Sequence, residues 1–314
     1  NVDSGSYVDD TFDLGTGFSD TGSGVASCEY CESTDGVCDT EWVAGAWGGG
    51  SCSVSNLICT DGQVLTLNMR AVDGAGNVGT ASAVMRTCDG VAPTYGVVTP
   101  SNMDSGGYVD GTFDMSTTFD DGGGSGIVSC EYCESTDGIC DAEWAAATWG
   151  GGSCSVNNLT CTDGQVLTLN MRATDDVGYV GTAAAVTRTC DTAAPTTTDN
   201  GISAWTNADQ TVTLTPGDGV GSGVQATYYC VDTAGTCTPT TVGTSVDVTC
   251  VAGSVCQQYV RYYSVDNVGN TEAVKSSVVI RIDKEELITT DDATSAWTNS
   301  DRTITLTPDD GSGS

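Results

Sequence analysis

Two kinds of residue in this chain have chemistry to offer: 16 cysteines, and 42 acidic groups set against 9 basic ones. The cysteines form three groups, six from Cys28 to Cys88, six from Cys130 to Cys190 and four from Cys230 to Cys256. The Cys28-x-x-Cys31 spacing invites a metal or a redox reading. A zinc site would need four converging thiolates, because the chain has no histidine. A redox dithiol needs a helix N-terminus to lower the thiol pKa. The pair instead lies in a strand-like stretch, where positions i and i+3 face opposite ways. Even counts in each group fit disulfides in an oxidising compartment, hence a secreted or cell-surface chain.

Aligning the groups narrows the pairing. The third keeps Cys230 and Cys237, matching Cys133 and Cys140, and Cys250 and Cys256, set against Cys154 and Cys161. Thr227 replaces Cys130, and Asp283 replaces Cys190. Cysteines lost together are read as partners, which predicts long staples Cys28–Cys88 and Cys130–Cys190. The short pairs predicted are Cys31–Cys38, Cys52–Cys59, Cys133–Cys140, Cys154–Cys161, Cys230–Cys237 and Cys250–Cys256.

The net charge of −33 leaves nothing to neutralise a nucleic-acid backbone, and anionic membranes would repel the chain. No catalytic residues are assigned. Histidine-dependent triads are absent, and short-looped sandwiches seldom offer the cleft a glycosidase needs for its two carboxyls, so the chain reads as no enzyme. Calcium takes six to eight oxygens from carboxylates and carbonyls, and acids gather at two kinds of place. Asp89, Asp191, Asp199, Asp283, Asp291 and Asp292 lie on joints, and Asp73, Asp175, Asp176 and Asp266 on turns. The last hairpin of a sandwich lies at the end where the preceding domain attaches. Asp89 is therefore expected to meet Asp175, and Asp191 to meet Asp266, as calcium ligands or as solvated turn residues. No other cofactor is expected.

The elements that position these residues come from repeats. SCEYCESTDGVCDTEW at Ser27–Trp42 returns as SCEYCESTDGICDAEW at Ser129–Trp144, an offset of 102 that also separates Cys88 from Cys190. A third unit diverges, and SAWTNADQTVTLTP at Ser203–Pro216 reappears as SAWTNSDRTITLTP at Ser295–Pro308. Units of about 100 residues have the size of an immunoglobulin-like sandwich. The expected domains are 1–92 (without its first strand), 93–192, 193–284 and the start of a fourth at 285–314. Pro93 and Pro195 stiffen the joints. Val166–Thr174 puts Leu167, Leu169, Met171 and Ala173 on one face, the pattern of an antiparallel strand buried on one side. Strands are also expected at Tyr95–Pro100, Gly111–Asp120, Ile127–Cys133 and Thr182–Thr189, with no long helix. The fold class is all-β: tandem, disulfide-stapled, antiparallel β-sandwiches.

The third repeat, SAWTN…TVTLTP…GSGV…YY…RYYSVDNVGNTEA…VVIRIDK, resembles the bacterial and archaeal Ig-like domains of surface proteins, the OmpL47-type family nearest by pattern. Repeats one and two, with YVDGTFD, GSGIVSCEY and RATDDVG, are similar to the broader bacterial Ig-like group. The resemblance covers nearly the whole chain and implies surface display, adhesion or filament building, with no catalytic residues to carry over. The expected role is a structural repeat region of an extracellular filament or stalk, self-associating or acting as a rigid spacer. Its partners would be other copies or neighbouring Ig-like domains, without direct membrane insertion. The alternatives are an adhesin whose binding domain lies elsewhere, or a carbohydrate-binding accessory module with a glycan partner. For the latter, Trp42, Trp47, Trp144 and Trp149 would form a sugar platform rather than pack on the sandwich. Trp205 and Trp297 read as domain-end core. Asn158-Leu-Thr160 is a glycosylation sequon.

Overall fold

The structure, a computed structural model, describes residues 5–309, and among them only strands, turns and loops occur. The chain divides into two compact units. The first comprises Asn1–Ser101, Phe113–Leu159 and Val166–Arg188, and the second Asn102–Thr112, Thr160–Gln165 and Thr189–Ser314.

The first unit holds a two-sheet sandwich, which among the described residues has no counterpart of the strands Thr94–Tyr95 and Thr99–Pro100 that pair with Thr112–Asp120 in the second sandwich. Its strands are β1 (Tyr7–Asp9), β2 (Thr11–Gly17), β3 (Val25–Ser33), β4 (Val43–Ala44), β5 (Ala46–Gly48), β6 (Ser51–Ile58), β7 (Val64–Asp73), β8 (Val78–Thr80) and β9 (Val84–Asp89). One sheet runs β1-β9-β7-β3-β4, with β8 beside β7, and the other runs β2-β6-β5. Alternation in β7 sends Leu65, Leu67, Met69 and Ala71 inward, where they are buried. Val8, Phe12, Leu57, Leu65 and Leu67 fill one half of the core. Cys28, Cys52, Met69 and Ala71 fill the other, with Trp47 packed against them. The fold is not wholly antiparallel. β1 runs parallel to β9, pairing Tyr7 with Thr87, Val8 with Cys88 and Asp9 with Asp89. This parallel pair closes the edge of the larger sheet and places Asp89 at the sandwich end.

The second repeat reuses this plan. Ile127–Ser135 pairs with Val166–Asp175 in the register of β3 with β7, including the bulge near its start. In the second unit, Tyr108–Asp110 pairs in parallel with Thr189, Cys190 and Asp191. The third sandwich also lies in the second unit, where Val224–Asp232 pairs with Val255–Asp266. Val212, Leu214, Val246, Val248, Val260, Tyr262, Ile280 and Ile282 make its core. Closing strands end at Asp89, Asp191 and Asp283, and the next strands begin at Thr94, Thr196 and Ile288. Ile288–Asp291 then pairs with Leu306–Asp309. Trp297, expected in a core, is fully exposed in this last segment.

All 16 cysteines are paired, but four of the eight expected bonds are replaced. Cys28–Cys88 and Cys52–Cys59 give way to Cys28–Cys52 and Cys59–Cys88. Likewise Cys130–Cys190 and Cys154–Cys161 give way to Cys130–Cys154 and Cys161–Cys190. Geometry explains the exchange. Cys28 on β3 and Cys88 on β9 share a sheet with β7 between them. Two strand spacings are about 10 Å, beyond the ~7 Å Cα reach of a disulfide. Cys52 and Cys59 stand at the two ends of β6, roughly 23 Å apart in extended chain. Each actual bond instead runs between the two sheets. Cys31–Cys38, Cys133–Cys140, Cys230–Cys237 and Cys250–Cys256 are closed within their own loops.

Where the third sandwich lacks the Cys28-type staple, hydroxyls take its place. Ser264 Oγ lies 2.6 Å from Thr197 Oγ1 and 2.8 Å from Thr227 Oγ1, all buried. Glu272 extends this network by accepting from the amides of Thr197 and Ser264 and by pairing with Lys275 at 2.8 Å. Burial pushes the Glu272 carboxyl up, but the hydrogen bonds from Lys275 and Thr197 outweigh it and leave the group below its ordinary 4.5. A depressed folded pKa gives stability that is present above 4.5 and lost as pH falls through the folded value. Glu272→Gln is therefore expected to destabilise the third sandwich at pH 7, and the deficit should shrink below pH 4.5. Denaturant midpoints of the two proteins at both pH values check this.

Candidate cation-binding joints

Each joint is built from the same positions. In the first unit, Asp89 closes the first sandwich, Asp121 opens the glycine-rich turn before Ile127–Ser135, and Asp175 ends Val166–Asp175. Their carboxylates converge, with one oxygen from each within 4.8 Å of the others. In the second unit Asp191, Asp218 and Asp266 do the same. Asp89, Asp175, Asp191 and Asp266 are buried.

Backbone amides aim the side chains. Asp89 Oδ2 accepts from Ser125 N at 2.7 Å, and Asp121 Oδ2 from Gly126 N at 2.7 Å. Asp175 Oδ1 accepts from Gly178 N at 2.7 Å and Tyr179 N at 2.8 Å. The second joint repeats these bonds: Ser222 N to Asp191 Oδ2 at 2.6 Å, Gly223 N to Asp218 Oδ2 at 2.7 Å, and Gly269 N to Asp266 Oδ1 at 2.7 Å. Such turns arise because Asp accepts from amides two to five residues on, while glycine supplies the positive φ, 93° at Gly126 and 108° at Gly178.

Three carboxylates this close repel. At an effective dielectric of about 20, two charges about 4.8 Å apart cost roughly 3.5 kcal/mol. Burial first, then the charges of Asp89 and Asp175, hold the Asp121 carboxyl above its ordinary range despite the Gly126 amide. Burial also raises Asp175, with Asp89 adding to it. Asp218 is raised by burial and by Asp191 and Asp266. Among the described residues no Lys or Arg pairs with either triad. The donor set is all hard oxygen, which suits calcium, magnesium or manganese and not zinc or copper.

A polar seam surrounds each triad. Tyr7 Oη donates to Gly123 O at 3.0 Å, and its counterpart Tyr108 Oη to Val220 O at 3.1 Å. Tyr179 Oη donates to Asp9 Oδ1 at 2.8 Å across the first joint. At the same position in the third sandwich, Asn270 Nδ2 donates to Asp191 O at 2.9 Å. Gly181 presses on the linker itself, since a Cβ there would stand 1.9 Å from Pro93 O, whereas Gly79 at the same place in the first sandwich meets nothing. Gly181→Ala is expected to destabilise by about 1–3 kcal/mol, because backbone cannot yield as a side chain does. Gly79→Ala should stay within about 0.5 kcal/mol. Denaturant midpoints of the pair check the contrast.

The structure thus brings Asp89 to Asp175 and Asp191 to Asp266, and adds Asp121 and Asp218, which were not among the expected acids. The spacing Asp-x-x-x-x-Gly, at Asp121–Gly126 and Asp218–Gly223, was the available signal. The other acids go elsewhere. Asp73 caps its own turn through Ala75 and Asn77, and Asp199 accepts from Tyr262 Oη at 2.6 Å within the third sandwich. One face of Trp42 is covered by Arg70 and one face of Trp144 by Arg172, each 4.3 Å from the ring. Trp205 has Arg281 at 5.9 Å. Asn158 is exposed within the strand Ser153–Thr160, at a left-handed φ of 58°, with its backbone amide donating to Asp114. No helix among the described residues is long and apolar enough to cross a membrane.

The chain matches no protein-family model and no curated protein. Solved structures that resemble it are tandem β-domains. The FN1-FN3 domains of chicken CNTN1 are 12% identical, covering 90% of this chain and 96% of that one, with a TM-score of 0.34. The I-band fragment I67-I69 from titin is 12% identical, covering 88% and 94%, with a TM-score of 0.38. A tetra-tandem repeat in the extending region of a large adhesion protein is 22% identical, covering 91% and 74%, with a TM-score of 0.28. At these scores none of them bears on function.

Proposed function

We propose that this chain is a structural repeat segment of an extracellular protein, a spacer that holds other parts of its polypeptide at a set separation. The observation that carries this is the repetition of the joint. Tyr7 and Tyr108, Asp89 and Asp191, and Ser125 and Ser222 make equivalent contacts at successive joints. A loose string of domains has no need to rebuild the same contacts each time, and inter-domain motion is the default where such contacts are missing. Full pairing of 16 cysteines supports an oxidising location. The bacterial or archaeal surface origin, and the OmpL47-type relationship, belong to this proposal and rest on the repeat motifs.

The spacer reading is favoured over a sugar-binding module because Arg70 and Arg172 already occupy one face each of Trp42 and Trp144. Immunogold electron microscopy of the native material tests it. Label against this segment should fall at a constant distance from the surface of origin. Label lying continuously along regular fibres would make the chain a filament subunit instead, and label at scattered distances would contradict a spacer.

A further inference from the structure

We infer that each joint binds one calcium ion, held by Asp89, Asp121 and Asp175 at the first and by Asp191, Asp218 and Asp266 at the second. Converging acids alone would not carry this. The deciding observation is Asp175, which is 1% exposed and uses Oδ1 to accept from two amides, while its Oδ2 is buried without any hydrogen-bond partner. A buried carboxylate oxygen without a donor is costly, and native structures nearly always satisfy such atoms. Here the nearest charged company is Asp89 and Asp121, which makes the cost worse. A cation satisfies the lone pairs and removes the repulsion together.

The second joint shows the same deficit at a different member, since Asp218 Oδ1 is buried and unpartnered. Two joints of different sequence therefore leave a carboxylate oxygen unsatisfied within the same three-acid arrangement. A cleft of about 270 Å³ lined by Asp61, Asp89, Asp121 and Gly122–Gly124 gives solvent access to the first, and one of about 350 Å³ lined by Asp163, Asp191 and Asp218 to the second. Calcium accepts irregular sets of six to eight oxygens, so carbonyls and waters complete a shell around three carboxylates, whereas magnesium demands near-octahedral order. At each joint the first acid belongs to one sandwich and the other two to the next, so the ion ties the two together. The site stands whether or not the chain is a spacer.

Equilibrium dialysis of the chelator-stripped full chain against calcium chloride, with magnesium in excess, reads the stoichiometry directly. Two ions per chain are expected, one after Asp175→Asn, one after Asp266→Asn, and none in the double variant. Asp35→Asn, a turn acid away from both joints, should keep two. Disulfide mapping of each variant that returns the eight native pairs, with an unchanged far-ultraviolet circular dichroism spectrum, shows that the sandwiches have formed. Wild-type chain that takes up no calcium, a double variant that still holds two ions, or displacement by magnesium would each overturn the inference.

Discussion

Mild reduction is expected to unfold the first and second sandwiches while the third remains folded. In the chain-entropy account, the bonds of the first sandwich, with separations of 24, 29 and 7 residues, contribute about 9 kcal/mol together. The second has the same separations. The third closes only 7 and 6 residues, worth about 5 kcal/mol. Domain stability is typically about 5–15 kcal/mol, so losing about 9 removes most or all of it. The cores differ in the same direction. The first sandwich builds half its core around Cys28 and Cys52, while the third relies on Val, Leu, Ile and Tyr side chains that survive reduction. Circular dichroism melting with a reductant, read alongside mass spectrometry of alkylated thiols, should show one transition surviving from three. All three melting together would show that the bonds do not set the difference.

Force should expose the same braces. Pulled along the chain, the first sandwich cannot release the residues inside its inter-sheet bonds. Separations of 24 and 29 take 53 residues out of reach, the Cys31–Cys38 loop being nested in the first. At about 3.5 Å per residue that is roughly 185 Å of hidden length. The third sandwich hides 13 residues, from separations of 7 and 6, or roughly 45 Å. Optical-tweezer unfolding should therefore give two short steps and one long one in oxidising buffer. After reduction each short step should gain about four times as much length as the long one. Three equal steps before reduction would contradict the pairings observed here.

The elements were readable because one-sided strands announce themselves. Val166–Thr174 alternates so strictly that the observed strand, Val166–Asp175, differs by one residue. Tyr95–Pro100 was less regular, and it is split into Thr94–Tyr95 and Thr99–Pro100. The Asp89–Asp175 and Asp191–Asp266 meetings followed from topology, since the last hairpin of one sandwich lies at the end where the closing strand of the preceding sandwich arrives. Asp121 and Asp218 escaped because their turns look like plain glycine-rich connections, and only the fold shows that the turn abuts the closing strand.

The four exchanged disulfides failed for a related reason, while the four loop bonds formed as expected. Counting cysteines put Cys250 and Cys256 in the columns of Cys154 and Cys161. In the fold, Cys154 sits near the start of Ser153–Thr160, whereas Cys250 follows the end of Ser245–Val248. The third sandwich has therefore not kept one bond and lost another; it has rebuilt its own short bond. Cysteine spacing carries no record of which sheet each strand joins, and that alone fixes the partners.

Residual dipolar couplings of the isotopically labelled full chain in calcium test the fixed joint most directly. The first and second sandwiches should fit a single alignment tensor. Replacing Tyr7 and Tyr179 with phenylalanine, which removes the bonds to Gly123 and Asp9, should split that tensor while leaving each sandwich folded. Two unequal tensors in the unaltered chain would show that the sandwiches reorient freely, and the spacer account would not stand.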